Sequence, residues 1–143
     1  MIASETMAVP AERTAQGRSR VAGIALSAIA SLFLASDAAL KVLRLGPAVE
    51  GTTSLGYPAE TVLWIGAIQS GCLLLYLVPR TAVLGALMMT GYLGGAVATH
   101  VRISSPLLSH TLFPVYVALL LWGGLYLRDE RLRALIPLRP RSE

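Results

Sequence analysis

Apolar residues in this chain gather into four long runs separated by short breaks. The first, about Val21–Leu43, is uncharged for 16 residues up to Asp37 and is closed by Lys41, Arg44, Gly46 and Pro47. The second, about Glu60–Val78, has Pro58 just upstream and Pro79 as its stop, since proline cannot continue a helix ladder. The third, about Thr81–Val101, holds 21 residues without formal charge between Arg80 and Arg102, one bilayer crossing at ~1.5 Å per helical residue. The fourth, about Leu107–Leu127, contains Pro114, which predicts a bend of the kind membrane helices tolerate. The Pro79–Arg80 turn is so short that the second and third spans are expected to be antiparallel neighbours. Residues 1–20 are polar, small and aperiodic and predict a disordered tail, residues 45–59 a Gly/Pro/Thr-rich loop, and residues 129–143 a basic tail. The first run is not a signal-peptide core, because more membrane follows it and not a cleavage site with a soluble domain.

Composition agrees with this pattern. Of 143 residues, 55% are hydrophobic and 14% charged, with mean hydropathy +0.64, against roughly 25% charge in soluble domains. The fold predicted is all-α: a polytopic four-helix transmembrane bundle over residues 21–128. Net charge is +4, but the basic residues sit at the ends of the spans, which is a topology signal and not a nucleic-acid footprint. With both termini inside, nine arginines (13, 18, 20, 80, 128, 131, 133, 139, 141) lie on the inner side, against Lys41, Arg44 and Arg102 outside. The positive-inside rule therefore places both termini in the cytoplasm. Tyr76 and Tyr126 are then expected near the inner interface, and Tyr57 and Trp64 near the outer one. Leu127, Leu132, Leu135 and Ile136 lie among arginines in a tail that either rests on the anionic inner leaflet or merely sets topology. Cys72, alone and inside an apolar run, offers neither an internal disulfide nor a dithiol site.

Polar residues within the spans are the candidates for function. Asp37, Lys41, Glu60, His100, Arg102 and His110 all fall in the outer halves or outer ends of their helices under this topology. Asp37 and Lys41, spaced i, i+4, share a face and can pair. Charged groups near lipid are costly without partners. The cluster reads either as an ion-pair network closing the bundle or as an outward pocket for a quinone head group or another small polar ligand. Two histidines at this separation make no metal motif. Gln69, near the centre of its span, is expected to hydrogen-bond a neighbouring helix, with ligand contact as the alternative. Gly91, Gly95 and Ala98 form a small-residue stripe, read as a helix-packing face with homodimerisation left open. No nucleotide-binding, metalloprotease or hydrolase signature is present, and no catalytic residue is assigned.

LGYP (Leu55–Pro58), YLVPRTAVLGA (Tyr76–Ala86), TGYLGGAVATHVR (Thr90–Arg102), LFP (Leu112–Pro114) and WGGLYLRDERLRALIP (Trp122–Pro137) resemble the DoxX-like family of small four-helix membrane proteins. The resemblance implies a multi-pass protein of the bacterial plasma (inner) membrane. The family takes its name from a subunit of an archaeal quinone-linked sulfur oxidation system, so it also implies an accessory, non-catalytic role in a quinone-linked redox or oxidative-stress complex. A redox-protein or membrane-protein partner and no covalently bound cofactor go with that role, whereas a homo-oligomer through Gly91 and Gly95 goes with the carrier alternative. Many relatives carry an acidic residue in the second span, where this chain has IGAIQSG with Gln69. A small-solute or ion carrier, and an enzyme on a lipid-soluble substrate, are the alternative functions.

Overall fold

The computed structural model describes residues 8–136, with side chains from Thr14 onward. The expectations for residues 1–7 and 137–143, including Arg139 and Arg141, lie outside them. Helices α1 (Ala8–Val42), α2 (Gly46–Ser54), α3 (Thr61–Leu77), α4 (Ala82–Arg102), α5 (Phe113–Arg128) and α6 (Glu130–Leu135) follow in order, with a π-helical turn at Leu107–Thr111. The described residues contain no strand. Helix α1 packs on α3 and α5, and α4 packs on the same two, so the four long helices close a ring. Three stretches are long and apolar enough to cross a membrane: Thr14–Val42, Ala82–Arg102 and Leu107–Arg128. Helix α3 is equally apolar in character but shorter, at 17 residues.

The outside of this ring differs from that of a soluble protein, and its apolar core also holds polar side chains. Leu32, Trp64, Leu74, Leu108 and Leu119 point outward, whereas Ser27, Ser31, Gln69 and Thr99 are buried among Leu34, Met89, Leu121 and Leu125. A continuous apolar exterior of this kind suits lipid and not water. Lipid tails are as apolar as leucine, so cohesion comes from close packing and interhelical hydrogen bonds.

Several expectations need revision. Helix α1 begins at Ala8, well before Val21, so residues 8–20 of the expected disordered tail are helical. The predicted loop 45–59 contains α2, started by Pro47 in its first turn. Pro114 is not in a helix interior: the chain makes a π-helical turn, and α5 starts with Pro114 in its first turn, where a missing N–H is harmless. The basic tail forms α6, whose Leu132 is buried against the ring. Tyr76 is not an interfacial ring but a core residue, 1% exposed.

The packing glycines also differ from the stripe read in sequence. Gly91 and Gly95 have nothing within 4 Å of a would-be Cβ and are exposed, as is Ala98. The close approaches are elsewhere. A Cβ on Gly23 of α1 would lie 2.8 Å from the carbonyl oxygen of Gly124 on α5, and one on Gly124 would lie 2.7 Å from the Ser27 nitrogen. Gly66 meets Lys41 and Val42 of α1, and Gly85 meets the Tyr76 backbone across the α3–α4 turn. GxxxG spacing shows that two glycines share a face, but not which face is turned inward.

Candidate functional site

Lys41 stands one residue from the end of α1, yet its ammonium does not turn out toward the interface. Side chains on a helix lean toward its N-terminus, which carries the Lys41 head group back to the level of Asp37, one turn earlier. There it pairs with the Asp37 carboxylate and donates to Gln69 Oε1 on α3 at 3.0 Å and to Tyr92 Oη on α4 at 3.1 Å. Tyr92 in turn donates to Gln69 Oε1 at 2.8 Å, and Gln69 Nε2 donates to the Leu34 carbonyl at 3.0 Å. Gln69 is fully buried, and Lys41 is 17% exposed. The three N–H donors of a lysine are matched by three acceptors here. The cluster links α1, α3 and α4 and leaves the ammonium no free donor.

A second polar group lies at the rim of the ring, where α4 ends. Arg102 Nη2 donates to the Leu55 carbonyl at 2.6 Å, and the Tyr57 and Thr99 hydroxyls are 2.8 Å apart. Gly56 between them has φ +85, and a Cβ there would lie 3.0 Å from Arg102 Nη2. The LGYP loop and the end of the THVR segment therefore hold each other. His100 Nδ1 is 3.0 Å from Ser105 Oγ, and its ring lies 6.0 Å, edge to face, from that of His110. His110 Nδ1 contacts Ser109 Oγ at 2.8 Å.

The six expected cluster members thus divide. Asp37 and Lys41 join Gln69 and Tyr92 inside the ring; His100, Arg102 and His110 belong to the rim; Glu60 is exposed at the start of α3 with no capping bond. The reason is the inward lean of Lys41, which separates it from the helix ends. Tyr92 was not anticipated. Its only sequence signal is position: a hydroxyl near the middle of a charge-free span, far from either interface. Among the described residues, no three His, Cys, Asp or Glu side chains converge as metal ligands would.

Toward the other end of the ring, Tyr76 Oη donates to the Leu121 carbonyl at 3.0 Å and lies 2.9 Å from Ser27 Oγ. The Arg128 guanidinium stacks over the Tyr76 ring at 5.1 Å. Trp122 Nε1 donates to Thr90 Oγ1 at 2.8 Å, joining α5 to α4.

A model of the DoxX-like family matches residues 25–124, the part of the chain that forms the ring and both polar groups. No curated protein and no solved structure matches the chain.

Proposed function

This chain belongs to the DoxX-like family, and from that premise we propose that it is a non-catalytic accessory subunit of a quinone-linked redox or oxidative-stress complex in the bacterial inner membrane. In this reading α3 also crosses the bilayer, making four spans, since its 17 residues are at the lower limit of a spanning helix. Both termini are cytoplasmic, as the arginine distribution favours.

The observation that carries the accessory role is the closure of the Asp37–Lys41–Gln69–Tyr92 cluster. A catalytic lysine or tyrosine needs a free donor or lone pair aimed at substrate. Here the lysine donors are all matched within the cluster, and the tyrosine hydroxyl both accepts and donates there. Such a network fixes the mutual positions of three helices. The exposed Gly91–Gly95–Ala98 face of α4 then offers a flat contact to a partner helix. The rim histidines are the groups this reading assigns to a quinone head group, because His100 and His110 lie together at the outer end of the ring and an imidazole nitrogen can donate or accept a hydrogen bond there.

The test is purification from native membranes in mild detergent, with extraction of bound quinone, alongside His100→Ala and His110→Ala membranes. Co-purified quinone, lowered quinone-linked respiration in the variants and no turnover by the chain alone are expected. Absence of quinone together with unchanged respiration removes the redox reading. Impermeant maleimide labelling of Ser4→Cys and Ser142→Cys checks topology: both are expected to stay unlabelled in intact spheroplasts.

A further inference from the structure

A cavity of about 710 Å³ opens where α1, α5 and α6 meet, at the opposite end of the ring from the histidines. Arg20, Arg128, Arg131 and Arg133 line it, against Asp129 and Glu130. Both carboxylates are already engaged. Asp129 caps α6, accepting from the backbone N–H groups of Arg131 at 2.9 Å and Leu132 at 3.4 Å. Glu130 accepts from Gln16 and pairs with Arg133 at 3.7 Å. Among the described residues, Arg20 and Arg131 have no carboxylate partner.

Arg128 is the informative member. Its guanidinium is pinned over the Tyr76 ring, and its Nε and Nη2 atoms are buried without any hydrogen-bond partner. A buried charged donor left without an acceptor is costly, so such a fork is normally filled. Adjacent guanidinium N–H groups in one plane match two oxygens of a phosphate or carboxylate, and phosphate geometry is a preferred partner of arginine. Apolar residues line the cavity beside the arginines, the half-exposed Ile24 and the buried Leu125. Basic groups beside apolar ones, at the end of membrane-crossing helices, are the arrangement that takes an anionic head group.

We infer that this cavity binds an anionic, phosphate-bearing group through Arg128, with Arg20 and Arg131 supplying the remaining charge. The group comes either from an anionic phospholipid or from free phosphate, and the two sources are separable. The full-length protein, purified in a neutral detergent and stripped of lipid, is melted with added phosphatidylglycerol, phosphatidylcholine or inorganic phosphate. The melting temperature is expected to rise with phosphatidylglycerol and not with phosphatidylcholine. A rise with inorganic phosphate alone assigns the site to soluble phosphate; a rise with the lipid alone assigns it to the head group. Arg20→Gln/Arg131→Gln alters two exposed side chains and is expected to fold with an unchanged lipid-free melt, while the apparent affinity falls roughly thirtyfold, from about 1 kcal/mol per arginine. Arg128→Lys keeps the charge but loses the fork, and is expected to weaken binding further than the loss of either exposed arginine. No shift with any of the three additives, an equal shift with phosphatidylcholine, or full binding by the double variant would overturn the site.

Discussion

Lys41 of α1 and Gln69 of α3 are joined by a 3.0 Å hydrogen bond inside the ring, and Gln69 is the residue that holds the surrounding donors in place. Its amide oxygen accepts from both Lys41 and Tyr92 while its nitrogen donates to the Leu34 carbonyl. Gln69→Leu removes all three bonds and leaves a charged donor short of an acceptor. A loss of about 2 kcal/mol is expected, read as a lower midpoint in detergent melts. A midpoint equal to wild type would show that the cluster does not hold the helices.

The Asp37–Lys41 pair is expected to be asymmetric under substitution. Lys41→Met leaves the Asp37 carboxylate without its cation, and breaking a buried pair from one side costs up to ~3–5 kcal/mol. Asp37 is 35% exposed, which lowers the expectation to about 2 kcal/mol. Adding Asp37→Asn removes the orphaned charge and should restore more than half of the loss. The double-mutant cycle measured by thermal or denaturant unfolding decides this.

The two classes of glycine predict opposite tolerance. Gly124→Ala places a methyl group against Ser27 backbone, and Gly23→Ala places one against the Gly124 carbonyl. Each forces α1 and α5 apart, with about 1–3 kcal/mol lost. Gly91→Ala and Gly95→Ala meet open space and should stay within about 0.5 kcal/mol, or gain slightly from helix propensity. The larger Gly95→Leu is informative in native membranes: it should leave the isolated chain folded and disrupt co-purification of a partner seated on α4.

Two residues past the ends of α1 and α4 the chain turns through non-glycine residues with positive φ, Arg44 at 53° and Ser104 at 55°. In both, the next residue's N–H reaches back to form the bond that closes the helix: Leu45 to Leu40, and Ser105 to His100. Left-handed backbone costs a side-chain-bearing residue roughly 1 kcal/mol relative to glycine. Ser104→Gly is therefore expected to raise stability by up to about 1 kcal/mol. Gly56→Ala should do the reverse, because its φ of +85 is strained for alanine and the new methyl meets Arg102. Comparative melting of the two variants checks both signs.

What the sequence made legible follows from which signals are local. The charge-free run ahead of Arg102, the Pro79 stop and the Pro58 entry are properties of neighbouring residues, and the observed bounds of α3 and α4 lie within one residue of the expected ones. The i, i+4 pairing of Asp37 and Lys41 is local in the same sense. Gln69 was readable as a helix-to-helix contact because an amide in an apolar span has few other options. Tyr92 and Tyr76 were not readable, since tyrosine is at home both at interfaces and in cores, and only tertiary placement chooses. The proposed union of Glu60, His100 and Arg102 with Lys41 failed for a geometric reason: counting residues from a helix end ignores the backward lean of a long side chain. The start of α1 at Ala8 was hidden by its polar composition, which resembles that of an unstructured tail.

The placement of the Lys41 counter-ion on the same helix has a consequence for biogenesis. As α1 leaves the ribosome, α3 and α4 have not yet been made, and Gln69 and Tyr92 are absent. A lone lysine in an apolar segment would resist partitioning by ~2.5–3.5 kcal/mol at the bilayer centre. Asp37, one turn away, can neutralise it within the emerging segment itself. A first helix inserted ahead of its neighbours would therefore carry its charge already balanced. The α3–α4 hairpin, joined by its short turn, arrives later with both remaining acceptors, and its docking converts a paired charge into a three-helix latch.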